Sequence, residues 1–374
     1  MDFYQKALKS ARKLPGKIEI TSKIKIKNRN DLSTYYTPGV AALSLKIAKS
    51  KDKVFDFTNK GNCVAVVSDG SSVLGLGDIG PEAALPVMEG KCLLFKELAG
   101  IDAFPIVLGT KNVDETASAI KLIAPSFGGI NLEDIAAPHC FELEERLQDV
   151  GIPVFHDDQH GTATVVLAAL INSLKVVGKK MAEIKIVIYG AGAAGIATAK
   201  LIQPGCLVMV DSRGPINKNR KDLNRYKREV TEFKNYCQAG SLEAAFEAAD
   251  VFIGVSGRGK LAPELIRLMN PKPIIFALSN PNPEILPREA KGAGAAIVAT
   301  GRSDFPNQIN NILAFPGIFR GALDARAKRI DLKMKLKTAY TLAGMIGKPS
   351  PEKILPLPLD KNVVKTISKA IVDL

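Results

Sequence analysis

Four carboxylates fall as two adjacent pairs, Glu133-Asp134 and Asp157-Asp158, and each pair closes a short apolar run. Ile130 and Leu132 lead into the first pair; Ile152, Val154 and Phe155 lead into the second. Acids brought together repel each other. A hard divalent cation such as Mg²⁺ or Mn²⁺, which takes oxygen ligands, relieves that repulsion. One such pair alone would be read as solvated turn acids. Two pairs at matching places suggest a cation site.

What must position them is legible between the pairs. Cys140, Leu143 and Leu147 recur at i, i+3 and i+7, the stripe of an amphipathic helix. The stretch therefore reads as strand, helix, strand. If the strands are parallel, both acidic pairs lie at the carboxyl edge of a sheet, where open α/β folds bind ligands.

A second constellation begins at IKIVIYGAGAAGIATAKLI, residues 184–202. An apolar strand enters Gly190-x-Gly192-x-x-Gly195 and an Ala-rich helix carrying Ala193 and Ala194 leaves it. Glycines here allow a tight turn, close approach of a pyrophosphate and close helix–strand packing. The next strand, CLVMV, ends at Asp211, 21 positions after Gly190. An acid at that place accepts from the adenine ribose hydroxyls and disfavours a 2′-phosphate, which points to NAD. Arg213, Lys218, Arg220 and Lys221 follow and could receive such a phosphate, so NADP stays open.

Three further features are weaker alone. Lys91 interrupts a mostly apolar helix; it either snorkels to the surface or is buried with the lowered pKa that a general base requires. Tyr36 precedes a Pro-Gly turn, normally a packing position. Asn280, Asn310 and Asn311 follow apolar strands, where asparagine is common as a cap.

At 374 residues the chain exceeds one ordinary core, so two domains are expected. Composition, 46% hydrophobic and 24% charged, is that of a soluble globular protein, and no apolar run of about 18 residues is present to span a membrane. The charge of +13 is spread along the chain without a nucleic-acid-binding motif, which suits attraction of acidic metabolites better than nucleic acid. Five scattered cysteines, none in a C-x-x-C spacing, read as reduced thiols. The basic N-terminal segment lacks the apolar core of a secretory signal, and acidic Asp2 argues against a transit sequence. A cytoplasmic location is expected. Residues 163–177 are apolar nearly all round, as a buried helix joining the two domains would be.

Several blocks together resemble a known family: YTPGVA (36–41), VAVVSDGSSVLGLGDIGPEAALPVMEGK (64–91), IDAFPI (101–106), FGGINLEDI (127–135), IPVFHDDQHGTA (152–163), GAGAAG (190–195), FALSNPNPEI (276–285) and ATGRSDFPNQINNILAFPGIFRGAL (299–323). Over about residues 30 to 330 the chain resembles the malic enzymes of the short prokaryotic type. The resemblance implies a two-domain α/β fold: an N-terminal catalytic and metal domain over 1–160, a Rossmann-type NAD(P)-binding domain over 161–315, and C-terminal helices over 316–374 packing back on both. It implies oxidative decarboxylation of malate to pyruvate and CO₂ with NAD or NADP and Mn²⁺ or Mg²⁺, in a homodimer.

Carried over by residue, Glu133, Asp134 and Asp158 would hold the metal with Asp157 beside them. Lys91 would be the general base and also touch substrate, and Tyr36 would be the general acid. Asn280, Asn310 and Asn311 would bind substrate, and Gly190, Gly192, Ala193, Ala194, Gly195, Asp211 and Asn280 would line the cofactor site. Two departures stand out. Ser71-Ser72 occupies the place of a malate-binding arginine found in larger eukaryotic members, and the connection between the GAGAAG helix and Asp211 is short. Other readings of the same residues are an oxaloacetate decarboxylase or malolactic enzyme on the same metal site, and, more remotely, a non-catalytic nucleotide-binding regulator.

Overall fold

The computed structural model describes residues 3–73, 75–257 and 259–374; Asp2 of the N-terminal segment lies outside them. Two parallel sheets organise the chain. The first takes β1 (Cys63–Ser68), β2 (Asp102–Val107), β3 (Gly129–Leu132) and β4 (Val154–His156) in the order β2-β1-β3-β4. The second takes β5 (Lys185–Tyr189), β6 (Cys206–Asp211), β7 (Gly214–Pro215), β8 (Val251–Gly254), β9 (Ile274–Ala277) and β10 (Ile297–Thr300) in the order β10-β9-β8-β5-β6-β7. Only the short edge strand β7 runs antiparallel. This is the doubly wound dinucleotide-binding order, with its switch point between β5 and β8.

The strands are short and buried on both faces, as parallel strands covered by helices must be. The helices are α1 (Phe3–Lys13), α2 (Arg29–Tyr35), α3 (Val40–Lys49), α4 (Val54–Phe57), α5 (Pro81–Ala99), α6 (Val113–Ile123), α7 (His139–Arg146), α8 (Asp157–Val177), α9 (Ala193–Leu201), α10 (Arg225–Thr231), α11 (Leu242–Phe246), α12 (Pro263–Arg267), α13 (Pro287–Gly292), α14 (Phe315–Asp324), α15 (Leu332–Gly344) and α16 (Lys361–Val372).

Helix α8 carries the chain from β4 toward the second sheet. It is long and apolar enough to cross a membrane, but 72% of its most apolar window is buried within the protein, so it is a core helix. Asn172 fixes it to the C-terminal region by donating 2.9 Å hydrogen bonds to the carbonyls of Ala343 and Ile354. The C-terminal helices do pack back: the Phe315 and Phe319 rings of α14 meet Phe95 of α5 edge-on at 4.8 and 5.2 Å.

The N-terminal arm differs. Helices α1 to α4 bury no residue, and Leu32, Tyr35, Val40, Leu43 and Leu45 are exposed. A second departure concerns cysteine. Cys206 and Cys237 form a disulfide with Cα atoms 5.7 Å apart, which corrects the reading of all five cysteines as reduced thiols. The chain around Asn235–Cys237 runs alongside the start of β6, exchanging backbone hydrogen bonds with Leu207, and this pairing across 31 residues leaves no spacing signature. Cys63, Cys92 and Cys140 are free.

Candidate active site

The acids are positioned by strand register. β3 and β4 pair in parallel with Leu132 opposite His156, so Glu133-Asp134 and Asp157-Asp158 leave the sheet side by side at its carboxyl edge. Asp157 and Asp158 then form the first turn of α8, where the positive end of the helix favours them. Ligand oxygens of Glu133, Asp134 and Asp158 come within 4.8 Å of one another. The amide of Asp134 donates to Asp158 Oδ2 at 2.9 Å. Asn131 Nδ2 orients Glu133 through a 2.8 Å bond to Oε2. An all-carboxylate set of this kind suits Mg²⁺ or Mn²⁺.

The electrostatics point the same way. Burial pushes the Glu133 carboxyl up to about 7; Lys91 pulls against this and Asp158 adds to it. Burial likewise raises Asp158 to about 6, opposed by Lys91 and reinforced by Asp157. Burial is the first cause in both, so these desolvated carboxyls hold protons more tightly than ordinary acids do.

Lys91 lies on α5 in register with Ala84, Met88, Cys92 and Phe95, the helix's buried stripe. It does not snorkel. Its Nζ makes ion pairs at 2.5 Å with Asp157 Oδ2 and 2.8 Å with Glu133 Oε1, and sits 4.2 Å from the centre of the Phe315 ring. The lowered pKa expected of a buried lysine is overturned: burial acts downward, but Asp157 and Glu133 outweigh it and hold the ammonium charged. Asp157 is raised to about 7 by burial, against Lys91 and with Glu133, and its Oδ1 has no hydrogen-bond partner among the described residues.

Tyr36 is not brought to this cluster. It caps α2 on the N-terminal arm, 66% exposed, and is absent from the walls of the cleft that Lys91 shares with the acids. The resemblance to the family pairs it with Lys91, but within one copy of the chain the arm that carries it does not line the cleft.

The cleft, of about 1190 Å³, runs from Lys91, Glu133, Asp134 and Asp158 to the Gly-rich turn of the second sheet. Gly190, Gly192, Ala193 and Ala194 line it, as do Asn280, Asn310 and Asn311. The three glycines have separate duties. Gly190 has φ +126 and a side chain there would meet the Val255 carbonyl at 2.5 Å, across the switch point. A Cβ on Gly195 would strike the Gly190 carbonyl, so Gly195 lets α9 close on the strand. Gly192 has open space before it, as a backbone that receives a pyrophosphate needs. Asn310 is in part a cap, its side chain accepting from the Ile312 amide.

Phe315 and Asn131 escaped the sequence. They shape the Lys91–Glu133 pair through tertiary contacts that no local pattern announces. Ser71 turns its hydroxyl to Asp69 and accepts from the Ala136 amide, while Ser72 faces the cleft. At the far end Lys227, from α10, joins Arg220 on Asp211.

Comparison with known proteins agrees with this geometry. The family described as the malic enzyme N-terminal domain matches residues 15–148, and the malic enzyme NAD binding domain matches residues 159–373. A bifunctional malic/malolactic enzyme of Bacillus subtilis is 52% identical over 379 residues, covering 99% of this chain and 92% of that protein. An NAD-dependent malic enzyme of Geobacillus stearothermophilus is 52% identical over 365 residues, covering 96% of this chain and 76% of that protein. The crystal structure of an NAD-dependent malic enzyme from Thermotoga maritima superposes with a TM-score of 0.94 at 49% identity, covering 98% of each chain. With both domain families matched in order, Glu133 and Asp134 within the first match and the Gly-rich turn within the second, the chain belongs to the malic enzyme family.

Proposed function

We propose that this protein oxidises (S)-malate with NAD⁺ or NADP⁺ and decarboxylates the product to pyruvate and CO₂. The observation that carries the reading is the shared cleft: a carboxylate trio suited to a divalent cation and a buried lysine at one end, a dinucleotide turn at the other. Glu133, Asp134 and Asp158 would hold Mn²⁺ or Mg²⁺. When bound, such a cation would supply Lewis-acid stabilisation of the negative charge that develops on the substrate oxygen.

Lys91 Nζ accepts the proton of the malate 2-hydroxyl as the C2 hydride leaves. To do so it must first release the proton that Asp157 and Glu133 hold on it in the resting cleft, and Asp157, in contact at 2.5 Å, is the nearest acceptor. Asn280 and Asn311, which line the same cleft, orient substrate and nicotinamide.

The protonation of C3 falls to Tyr36 of a second copy of the chain. The arm that carries Tyr36 has no core of its own and exposes a row of apolar residues, the condition of a segment that is buried in a homodimer. The proposed units are an N-terminal catalytic and metal domain over 1–160, a dinucleotide-binding domain over 161–315 and C-terminal helices over 316–374. A cytoplasmic location fits the substrate and cofactor; the disulfide Cys206–Cys237 is the feature that argues the other way.

A malolactic outcome is the second reading, favoured by the name of the Bacillus subtilis relative. Product analysis separates the two: pyruvate with one reduced cofactor per malate supports oxidation, and lactate without net cofactor reduction supports the alternative.

A further inference from the structure

Across the switch point from Asp211 the cleft wall is made by two loops. One follows β8 and supplies Ser256, Gly257 and Gly259; the other follows β9 and supplies Ser279 and Asn280. β8 and β9 are neighbours, with Gly254 opposite Ala277, so the two loops leave the sheet side by side. A dinucleotide whose pyrophosphate rests on the Gly190–Gly192 turn and whose adenine half extends over β6 sends its other half across to β8 and β9. These loops are therefore the wall for the nicotinamide half.

What joins them lies behind the wall. Glu284 is 3% exposed and stands off the cleft, yet both loops close on its carboxylate. Ser279 donates its hydroxyl to Oε1 at 2.5 Å and its amide to Oε2 at 3.2 Å. Ser256 donates its amide and its hydroxyl to Oε1, both at 3.3 Å. Each hydroxyl, with its proton committed to Glu284, turns a lone pair back to the backbone. Ser279 Oγ accepts from the Gly257 amide of the opposite loop at 2.9 Å, and Ser256 Oγ from the Gly259 amide of its own loop at 2.9 Å. The Glu284 carbonyl also accepts from the Leu261 amide at 2.8 Å, which ties down the chain beyond the first loop. The strand leaves space for this arrangement: a Cβ on Gly254 would fall 2.4 Å from Glu284 Cδ. One buried carboxylate thus orders two loops through two serines, and such a network holds only while every member is satisfied.

We propose that Glu284 is a positioning residue for the nicotinamide half of the cofactor. Acting through Ser256 and Ser279, it fixes the loops after β8 and β9 in the arrangement that seats the ring beside Asn280. It touches neither cofactor nor substrate itself. The adenine half, held at Gly190, Gly192 and the end of β6, lies outside its reach. This rests on the reading of the cleft as a nicotinamide-cofactor site, but its test needs no malate.

The test is fluorescence titration of the full-length protein with NADH and NADPH, followed for whichever binds the more tightly, beside calorimetric titration with 5′-AMP. Emission from the dihydronicotinamide ring reports the surroundings of that ring, whereas 5′-AMP occupies the adenine half alone. Wild type is expected to enhance the emission on binding. Glu284→Ala leaves two hydroxyls and two amides without their acceptor. It should lose at least about half of the enhancement and bind the reduced cofactor roughly tenfold more weakly, while 5′-AMP stays within about threefold of wild type. Glu284→Gln, which keeps a carbonyl oxygen for the Ser279 hydroxyl, should recover most of both. Glu284→Asp, a milder change that withdraws the carboxylate from the loops, should show the same selective loss in smaller measure, and it carries the test if the alanine variant does not fold. A tie that served stability alone would lower Tm and leave the emission of the bound ring unchanged. The proposal is overturned if wild type gives no enhancement, or if folded Glu284→Ala and Glu284→Asp keep the wild-type enhancement and affinity. It is overturned equally if 5′-AMP binding falls in parallel with that of the reduced cofactor. Failure of malate oxidation would instead count against the reaction, leaving these binding results to stand.

Discussion

Lys91 Nζ and Asp157 Oδ2 lie 2.5 Å apart on the floor of the cleft, a buried ion pair between the middle of α5 and the first turn of α8. Asp157 stands outside the trio whose oxygens converge, so its hold on Lys91 does not depend on that trio being neutralised. The pair sets the resting state of the lysine as an ammonium with a proton acceptor in contact. Its removal gives the first prediction. Lys91→Ala should lower kcat for malate oxidation by about 10²–10⁴-fold, as loss of a general base does. Decarboxylation of added oxaloacetate, a step that needs no proton from the 2-hydroxyl, should be reduced far less. Equal loss of both activities would remove the assigned role.

Complementation tests whether Tyr36 works in trans. Tyr36→Phe and Lys91→Ala should each be nearly inactive alone. Co-expressed, their mixed dimers contain one intact Tyr36–Lys91 combination, so activity should return to roughly a quarter of wild type for statistical pairing in a twofold-symmetric dimer. No recovery, with mixed dimers shown to form, would place Tyr36 and Lys91 in the same protomer.

The carboxylates predict a pH dependence of cation binding. Glu133 and Asp157 are raised to about 7 and Asp158 to about 6. For such groups the folded state binds more protons than the unfolded state between the ordinary carboxylate pKa and the raised one, so each lowers stability as pH rises through that window. A cation reverses the trend by displacing the protons. Mn²⁺ should therefore raise Tm far more at pH 7.5 than at pH 5.5, measured by thermal melts with and without the metal. A shift independent of pH would mean the trio is not the binding site.

Two glycine substitutions separate binding from folding in the dinucleotide turn. Gly192→Ala places its methyl in open space, so Tm should hold while cofactor affinity falls. Gly195→Ala drives a methyl into the Gly190 carbonyl and should lower Tm by several degrees as well. The two variants compared by melting and by cofactor titration give the order directly.

Much of this site could be read before the structure. The acidic pairs were legible because β3, α7 and β4 carry clear periodicities, and parallel pairing with Leu132 opposite His156 then follows from the unit. The Gly-rich turn was legible for the same reason, its strand and helix flanking it. The charge state of Lys91 was not legible, because it depends on two acids 42 and 66 positions away converging with Phe315. The pairing of Asp211 with Lys227 was hidden likewise: α10 delivers that lysine from beyond the basic stretch that drew attention first. The exposure of Tyr36 belongs to an arm without a core, and no single chain's pattern shows where such an arm docks.

The central claim is that Glu133, Asp134 and Asp158 hold the cation on which malate turnover depends. The most direct measurement is the rate of malate-dependent cofactor reduction against Mn²⁺ concentration, in wild type, Glu133→Gln and Asp158→Asn after chelation. Wild type should be inactive when chelated and recover fully with Mn²⁺, while each variant should need at least about tenfold more Mn²⁺ and fail to reach the wild-type rate. Full activity in the chelated wild type, or variants that match it at the same Mn²⁺ concentration, would contradict the account.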